Sequence, residues 1–384
     1  MSKKMLVVLS ILVLAAMVLT SCKPAATTAP TTEPVVEPTA GPTVKPFRVG
    51  FVTDTGGIDD KSFNTTQWAG VLRAQTEFGI EPKFIQSDEA TQYTPNLTEF
   101  ASQGYDLIIA AGWAIGADMA KVAMDYPDIK FSIVDYGYPD PFIPDGVIGQ
   151  KECVPNAVGQ VFKTDQAAFL AGYLAAGMTK TGKIGYFGGA PYQTVTIFGV
   201  GMQAGMEYYN QVHGTSVVLI GWDNKTGKGN FTGDFSDLTK GKEYAESLFD
   251  EGVDIFAGVG GLIGAPGFDV ARERGGYGIW VDTDGYVSLT GVQDVILTSI
   301  MKNMDTSVYD VIKSAKDGTF KGCTNYVGSL ANNGVGIASY HDLDSKVPAE
   351  LKAEIEALKA KIISGEITDT GCLSYPAYCP AGLY

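Results

Sequence analysis

Short apolar runs alternate with longer helical patterns along nearly the whole chain after residue 46. The apolar runs predict β-strands at residues 48–53, 83–86, 107–111, 131–134, 147–150, 183–187, 216–221, 255–258, 278–281 and 295–299. The helical patterns predict α-helices at residues 64–78, 95–103, 117–125, 165–178, 195–212, 240–251, 265–274 and 302–316. Such alternation predicts an α/β fold with parallel sheets, and the series is too long for one sheet of ordinary size. We therefore expect two doubly wound parallel-sheet lobes.

Polar and aromatic residues recur where these predicted strands end. Ligands of doubly wound sheets bind beyond the carboxyl ends of the strands. Five such ends carry an Asp, a Gly or an aromatic residue, namely Asp54, Gly112 with Trp113, Asp135, Gly260 with Gly261, and Asp282. Each one alone is more often a turn residue or a helix cap. Their recurrence predicts one polar binding cleft, and Trp113 either lines this cleft or packs within its lobe.

The first 46 residues differ from the rest of the chain. Lys3 and Lys4 precede an apolar run, which predicts a signal peptide at residues 1–21. The sequence Leu-Thr-Ser-Cys that ends at Cys22 resembles a bacterial lipobox, so we expect a lipid on Cys22 and an anchor at the extracytoplasmic face of the cell membrane. An ordinary secreted chain and an uncleaved anchor are the alternatives. Residues 22–46, rich in Thr and Pro, predict a disordered tether behind the lipidated Cys.

Charge and histidine content exclude several classes of function. The 384 residues include 28 Lys and Arg against 43 Asp and Glu, a formal net charge of -15. Nucleic acid is therefore not an expected partner, because the chain would repel its phosphates. The two histidines, His213 and His341, are far apart, and no cysteines have zinc-ligand spacing. We expect neither a metal nor a cofactor.

Four cysteines remain after Cys22, an even number that permits two disulfides in an exported protein. Cys372 and Cys379 enclose six residues and form the simpler pair. Cys153 and Cys323 both lie at predicted crossovers between the lobes, which suggests a disulfide close to the hinge. Free buried thiols are the alternative for some of the four.

Several segments together carry a resemblance to a known family. They are VGFVTDTGGIDDKSFN at 49–64, FLAGY at 169–173, TKTGKIG at 179–185, KGKE at 240–243, WVDTD at 280–284 and LTSIMK at 297–302. The chain from 47 to about 365 resembles the basic membrane protein family, also called the purine nucleoside receptor family. Its members are lipoprotein substrate-binding proteins of ABC transporters.

The resemblance implies a type I periplasmic-binding-protein fold, in which two lobes are joined by hinge strands and close on a nucleoside. With crossovers expected near 150–162, 282–295 and 318–326, residues 47–155 and 283–322 form the first lobe. Residues 156–282 and 323–384 form the second lobe.

The resemblance also implies how the base is held. Phe63 supplies one aromatic face, although an apolar residue at this place also commonly packs against the start of a helix. Phe231 and Phe235 both match the position of the opposite face, and the sequence does not separate them. Asn64 and Asp135 match residues that address the edge of the base.

The sugar is expected to meet a second group of residues. Asp54 and Asp282 match the carboxylates that accept from ribose hydroxyls. Lys302 matches a cation that donates to the same sugar, and its alternative is a solvated position on a helix. Gly260 and Gly261 let backbone N–H groups approach the sugar, where a Cβ atom would stand in the way.

The function that follows is capture of a purine nucleoside such as guanosine, inosine or adenosine by closure of the hinge. Delivery to an ABC permease and its ATPase would come next, with the receptor a monomer. Gly285 and Tyr286 stand where relatives commonly have Gln, so the resemblance indicates nucleoside binding and does not specify the base.

Three other functions are compatible with parts of the pattern. A receptor for a free sugar such as ribose or another furanose needs no second aromatic face, and an adhesin needs no closed pocket. A nucleoside hydrolase-like enzyme is suggested by residues 54–60, which resemble an Asp-rich calcium loop. That loop needs acidic residues where Thr53 and Thr55 stand, so we expect no enzyme and assign Asp59 and Asp60 to the start of the next helix.

Overall fold

The computed structural model describes residues 45–140 and 149–384. The predicted signal peptide, Cys22 and all but the last two residues of the predicted tether lie outside the described residues. The first half of the strand expected at 147–150 lies outside them as well, and residues 149–150 form a bend. Within the described ranges, every helix is too short or too polar to cross a membrane.

A six-stranded parallel sheet forms the centre of the first lobe. Its strands, numbered in chain order, are β1 (Arg48–Val52), β2 (Glu81–Ile85), β3 (Leu107–Ala111), β4 (Lys130–Val134), β5 (Ala157–Phe162) and β13 (Thr324–Gly328). They run side by side in the order β13-β5-β4-β3-β1-β2. Every residue of β3 and β5 is buried, which is expected where helices cover both faces of a parallel sheet.

Four helices cover this sheet, and they are α1 (Phe63–Phe78), α2 (Tyr93–Ser102), α3 (Gly116–Asp125) and α9 (Met304–Lys316). Helix α1 ends at Gly79, whose φ of 64° allows its N–H to bond the carbonyl of Gln75. Helices α1 and α9 pack closely, because a Cβ atom on Gly70 would stand 2.3 Å from the carbonyl oxygen of Asp305. Residues more than two hundred positions apart therefore complete one lobe.

A second six-stranded sheet has the order β14-β12-β11-β10-β6-β7, with β14 antiparallel to β12. Its strands are β6 (Lys183–Gly188), β7 (Val218–Ile220), β10 (Ile255–Val259), β11 (Tyr277–Asp282), β12 (Ile296–Lys302) and β14 (Val335–Ile337). The short strands β8 (Trp222–Asp223) and β9 (Lys228–Gly229) form a hairpin.

The helices of this lobe are α4 (Thr164–Met178), α5 (Gln193–His213), α6 (Leu238–Asp250), α7 (Pro266–Arg274), the short α8 (Gly285–Ser288) and α10 (Ala349–Ser364). Helix α4 is buried almost all round, which its nearly continuous apolar sequence predicts. Its contact with α5 is close, since a Cβ on Gly205 would lie 1.9 Å from the carbonyl oxygen of Phe169.

The chain passes between the two sheets at Lys163, at Asn303 and between β13 and β14. The predicted lobe boundaries after residues 155, 282 and 322 therefore need correction. Strands β5 and β13 belong to the first sheet, and β12 belongs to the second. Membership of a sheet depends on pairing with a distant strand, β4 for β5 and β11 for β12, which a local apolar pattern does not encode.

Two disulfides are present in the described chain. Cys372 is bonded to Cys379, and Cys153 is bonded to Cys323. The second bond joins segments that precede β5 and β13, whereas the crossovers leave from the carboxyl ends of these strands. It therefore links the amino-terminal ends of two neighbouring strands, and the crossovers lie at the opposite ends. The expectation that this disulfide lies close to the hinge is wrong.

Candidate ligand-binding cleft

The carboxyl ends of both sheets face one cavity of about 200 Å³. Ten of the residues expected from the sequence line it, and they are Asp54, Phe63, Asn64, Trp113, Asp135, Phe235, Gly260, Gly261, Asp282 and Lys302. Phe231 does not line it. The strand-end pattern therefore located the cleft, because parallel strands bring their carboxyl ends to one edge.

The loop after β1 is fixed by Asp60. Its carboxylate accepts from the backbone N–H groups of Ser62, Asn64 and Thr65 at 3.0, 2.7 and 3.0 Å. These bonds satisfy donors in the first turn of α1 and aim Phe63 and Asn64 into the cleft. Asp60 thus starts the helix as expected, although it also lines the cavity. Burial raises the pKa of Asp60 to about 6.

Asp54 and Asn64 lie side by side in the cleft and are hydrogen-bonded to each other. The Asp54 carboxylate accepts from the Asn64 side-chain amide at 2.8 Å and from the Gly56 N–H at 2.9 Å. Burial raises the pKa of Asp54. Gly112 has a φ of 105°, and a Cβ there would lie 3.1 Å from the Asp54 carboxylate. The side-chain oxygen of Asn64 is buried and has no hydrogen-bond partner within the described residues, so it is an acceptor that a ligand can use.

A buried ionic cluster joins the two lobes. The Lys302 ammonium lies 2.5 Å from a carboxylate oxygen of Asp135 and 3.7 Å from one of Asp282. The Ser62 hydroxyl donates to the other oxygen of Asp282 at 2.7 Å. Asp135 and Ser62 come from the first lobe, whereas Lys302 and Asp282 come from the second. Burial raises the pKa of Asp135 to about 6, against the lowering effect of Lys302.

Asp135 and Asp282 share an uncommon backbone conformation. Their φ angles are 63° and 70°, in the left-handed region that few residues other than Gly, Asn and Asp adopt. Lys302 is the last residue of β12 and is 2% exposed, so the alternative of a solvated helix residue is wrong. Asp135 and Lys302 were expected on the base and the sugar separately, yet they are paired with each other across the cleft.

The two aromatic candidates from the second lobe, Phe231 and Phe235, lie in different surroundings. Phe235 lines the cavity and stacks on Tyr192, with ring centroids 5.9 Å apart. Phe231 instead packs edge-on against Trp222 at 6.4 Å. On the opposite side, the Phe63 ring centroid lies 5.0 Å from the Lys302 ammonium. Of the three Phe residues expected on the base, Phe63 and Phe235 therefore line the cavity and Phe231 does not.

Sequence reasoning missed part of the cleft wall. The lining also includes Tyr93 and a run at the start of α5 formed by Tyr192, Thr194, Val195 and Phe198. Tyr192 stands across the cleft from Trp113, with ring centroids 5.2 Å apart. Tyr192 follows the end of β6, so examination of that strand end together with the other five would have found it.

The cleft contains several acidic side chains but no arrangement typical of a metal centre. Among residues 45–140 and 149–384, no group of three or more His, Cys, Asp or Glu side chains is placed to hold a metal ion. The carboxylates instead bond to backbone N–H groups, to Asn64, to Ser62 and to Lys302. The acidic side chains of the cleft are therefore held by hydrogen bonds and an ion pair within the protein.

Comparison with known proteins identifies the family. Residues 47–369 match the family model for the PnrA-like substrate-binding proteins of ABC transporters, the Bmp family. This chain belongs to the Bmp family. Basic membrane protein A1 of Borrelia garinii subsp. bavariensis is 33% identical over 327 residues, 83% of this chain and 87% of that protein. The ABC transporter nucleoside-binding protein BmpA of Lactococcus lactis subsp. cremoris is 30% identical over 339 residues, 84% of this chain and 88% of that protein.

Solved structures agree with this Bmp assignment. A solute-binding protein of an ABC transporter system from Aeropyrum pernix K1 superposes with a TM-score of 0.73 at 27% identity. The alignment covers 86% of this chain and 96% of that protein. The predicted type I periplasmic-binding-protein fold is thereby confirmed, and this Bmp protein is a substrate-binding protein of an ABC transporter.

Proposed function

We propose that the protein captures nucleosides, and purine nucleosides in preference, between its two lobes and delivers them to an ABC permease powered by its ATPase. The observation that carries this proposal is the pair of aromatic walls, Phe63 and Phe235, which flank a cavity rich in carboxylates. A flat base suits the aromatic faces, and stacking contributes roughly 1–3 kcal/mol per base in nucleic-acid complexes. The name of the Lactococcus lactis relative, a nucleoside-binding protein, supports the same ligand class.

The polar groups favour a ligand that offers many hydrogen-bond donors. Carboxylates accept but do not donate when ionised, and Asp54, Asp135 and Asp282 surround the cavity. Ribose hydroxyls supply such donors at Asp54 and Asp282, while Lys302 donates to a sugar oxygen. The unpaired oxygen of Asn64 accepts from a donor on the edge of the base. Guanosine and inosine fit this assignment best, because their ring N–H adds a donor beside Asp135.

Capture proceeds by closure of the lobes around the ligand. The contacts that join the lobes across the cleft include Ser62 with Asp282, Lys302 with Asp135, and Trp113 with Tyr192. Opening breaks them and admits the ligand, and closure restores them and excludes water. The lobes move about the crossovers at residues 163, 303 and 329–334. No step in this cycle makes or breaks a covalent bond, so we propose a receptor and not an enzyme.

Anchoring completes the proposal. A lipid on Cys22 would hold the receptor at the extracytoplasmic face of the cell membrane, close to its permease, with residues 22–46 as the tether. The receptor would act as a monomer. Incorporation of radiolabelled palmitate into the wild-type protein, and its loss in Cys22→Ser, tests the anchor independently of ligand binding.

Calorimetric titration of the full-length protein in detergent with guanosine, inosine, adenosine, uridine and ribose tests the ligand. We expect purine nucleosides to bind and Phe235→Leu to weaken that binding by about 1–3 kcal/mol, which is roughly 5- to 150-fold. Phe231→Leu is the matched control, since it shortens a neighbouring aromatic residue outside the cavity and should leave affinity unchanged. Binding of ribose alone would assign the protein to the sugar receptors, and no binding by any of the five would refute nucleoside capture.

A further inference from the structure

Residues 370–384 lie beyond the part of the chain that matches the family model, which ends at residue 369. This segment is nevertheless well packed. Thr370, Cys372, Cys379 and Leu383 are each buried, and a disulfide joins the two cysteines. We call residues 370–384 the strap, because they contact the first turns of both α4 and α5.

The first contact of the strap is with Asp165, a fully buried residue in the first turn of α4. The Asp165 carboxylate accepts from the Thr370 hydroxyl at 2.6 Å and from the Tyr384 hydroxyl at 2.5 and 2.7 Å. A buried carboxylate needs such donors, and here the side-chain donors come from the strap.

Tyr384 of the strap also contacts Lys163, at the first crossover between the lobes. The Lys163 ammonium lies 4.1 Å from the centroid of the Tyr384 ring. The Lys163 backbone N–H donates to the carbonyl oxygen of Gly328 at 2.7 Å, at the end of β13 in the first lobe. The strap therefore touches the residue at which the chain leaves one lobe for the other.

The second contact of the strap is with the first turn of α5. The Thr196 hydroxyl donates to the carbonyl oxygen of Tyr378 at 2.7 Å, and the Gln193 amide donates to that of Ala377 at 3.0 Å. No side chain caps the start of α5, so the bonds from the strap add to the few that hold its first turn, among them the Tyr186 hydroxyl on the Val195 carbonyl. Thr194 and Val195, which line the cleft, lie between the two tethered residues.

We propose that the strap positions the α5 wall of the cleft and the crossover at Lys163, and thereby sets how tightly the receptor holds its ligand. Thr196 and Asp165 are positioning residues in this arrangement, since neither lines the cavity. The wall that they hold carries Tyr192, which meets Trp113 when the lobes are together. The effect on affinity rests on the proposed nucleoside function, whereas the ordering of α5 does not.

Hydrogen exchange of the ligand-free, full-length protein in detergent tests the ordering without any ligand. We expect Thr196→Val to accelerate exchange in residues 193–200 about 5-fold, and Tyr384→Phe, which loses the bond to Asp165, to do the same in the first turn of α4, the effect of one lost hydrogen bond in each. Exchange in α7, which has no contact with the strap, should stay unchanged. Tyr375→Phe removes a hydroxyl from the same segment that makes no bond to α4 or α5, and it should behave like wild type. Equal acceleration in α7 and α5, or none in α5, would overturn the proposal.

Ligand dissociation then tests the consequence. With inosine, we expect Thr196→Val and Tyr384→Phe to release ligand about 5-fold faster at a temperature well below unfolding, and a variant without residues 370–384 to release it faster still. Unchanged dissociation with a lowered Tm would show that the strap contributes only to global stability, and would also overturn the proposal. Failure of the wild type to bind any nucleoside would refute the proposed function, while the exchange result would still decide whether the strap orders α5.

Discussion

Replacing Lys302 with methionine removes the cation at the centre of the cleft and keeps most of the volume of the side chain. The Lys302 ammonium is 2.5 Å from Asp135 and 3.7 Å from Asp282, and its side chain is 2% exposed. Without it, the two carboxylates face Asp54 with no neutralising charge between the lobes. We expect the ligand-free protein to become less stable for this reason.

The size of the loss follows from the burial of the pair. Breaking a buried ion pair by removal of one partner costs about 3–5 kcal/mol, because the other charge stays buried and unpaired. For a protein of this size, that corresponds to a fall of roughly 4–7 °C in Tm. Lys313→Met is the matched control: Lys313 lies 2.7 Å from Asp317, but both side chains are about half exposed. An exposed pair of this kind is screened by solvent and contributes little to stability, so Lys313→Met should unfold close to wild type.

The stability lost in Lys302→Met depends on pH, and the protonation of Asp135 determines whether the loss grows or shrinks as the pH rises. Burial raises its native pKa from 3.8 to about 6. The native state therefore binds a proton on Asp135 more tightly than the unfolded chain does. Protonation of Asp135 stabilises the fold fully below about pH 4, and this stabilisation is lost as the pH rises through about 6. Removal of Lys302 raises the pKa of Asp135 further. The deficit of Lys302→Met should accordingly be large at about pH 7.5 and smaller at about pH 5.

Thermal unfolding of ligand-free wild type, Lys302→Met, Lys313→Met and the double variant Lys302→Met with Asp135→Asn measures these effects at both pH values. The double variant should recover part of the loss, since it no longer buries the Asp135 charge. A Lys302→Met protein as stable as wild type at neutral pH, or a double variant less stable than Lys302→Met alone, would refute the reasoning from buried charge.

Two further predictions concern closure and the shape of the cleft. Tyr192→Ala removes the aromatic contact with Trp113 and should speed nucleoside release about 3- to 10-fold in stopped-flow experiments. Tyr192→Phe keeps the ring and should release nucleoside at the wild-type rate. Equal release rates for the two variants would exclude a role of this ring contact in closure. Gly260→Ala places a Cβ 2.7 Å from the Ile263 side chain and 3.1 Å from the Phe235 ring at a φ of 152°, and it should weaken binding about 10-fold by calorimetry. Gly291→Ala, with a φ of 80° and no neighbour within 4 Å, should lower only Tm, and a matching loss of affinity there would contradict the steric argument.

Much of the fold and of the cleft is encoded locally. Alternating apolar runs and helical patterns specify α/β lobes because the periods of strands and helices are properties of short segments. Residues after strand ends specify the cleft because parallel strands end together, which is why Asp54, Asp135 and Asp282 were found without a structure. The start of α1 is also local, since Asp60 bonds to N–H groups within five residues of itself.

Other features depend on contacts between residues that are far apart in the chain. Lys302 pairs with Asp135 across 167 positions, and Ser62 bonds Asp282 across 220. The choice of Phe235 over Phe231 depends on which ring the fold turns toward Tyr192 and which toward Trp222. The sequence by itself determined the kinds of element and the strand ends that line the cleft. Only the tertiary structure decided the sheet to which β5, β12 and β13 belong and the partner of each buried charge, because pairing over such separations is selected by the packing of the whole lobe.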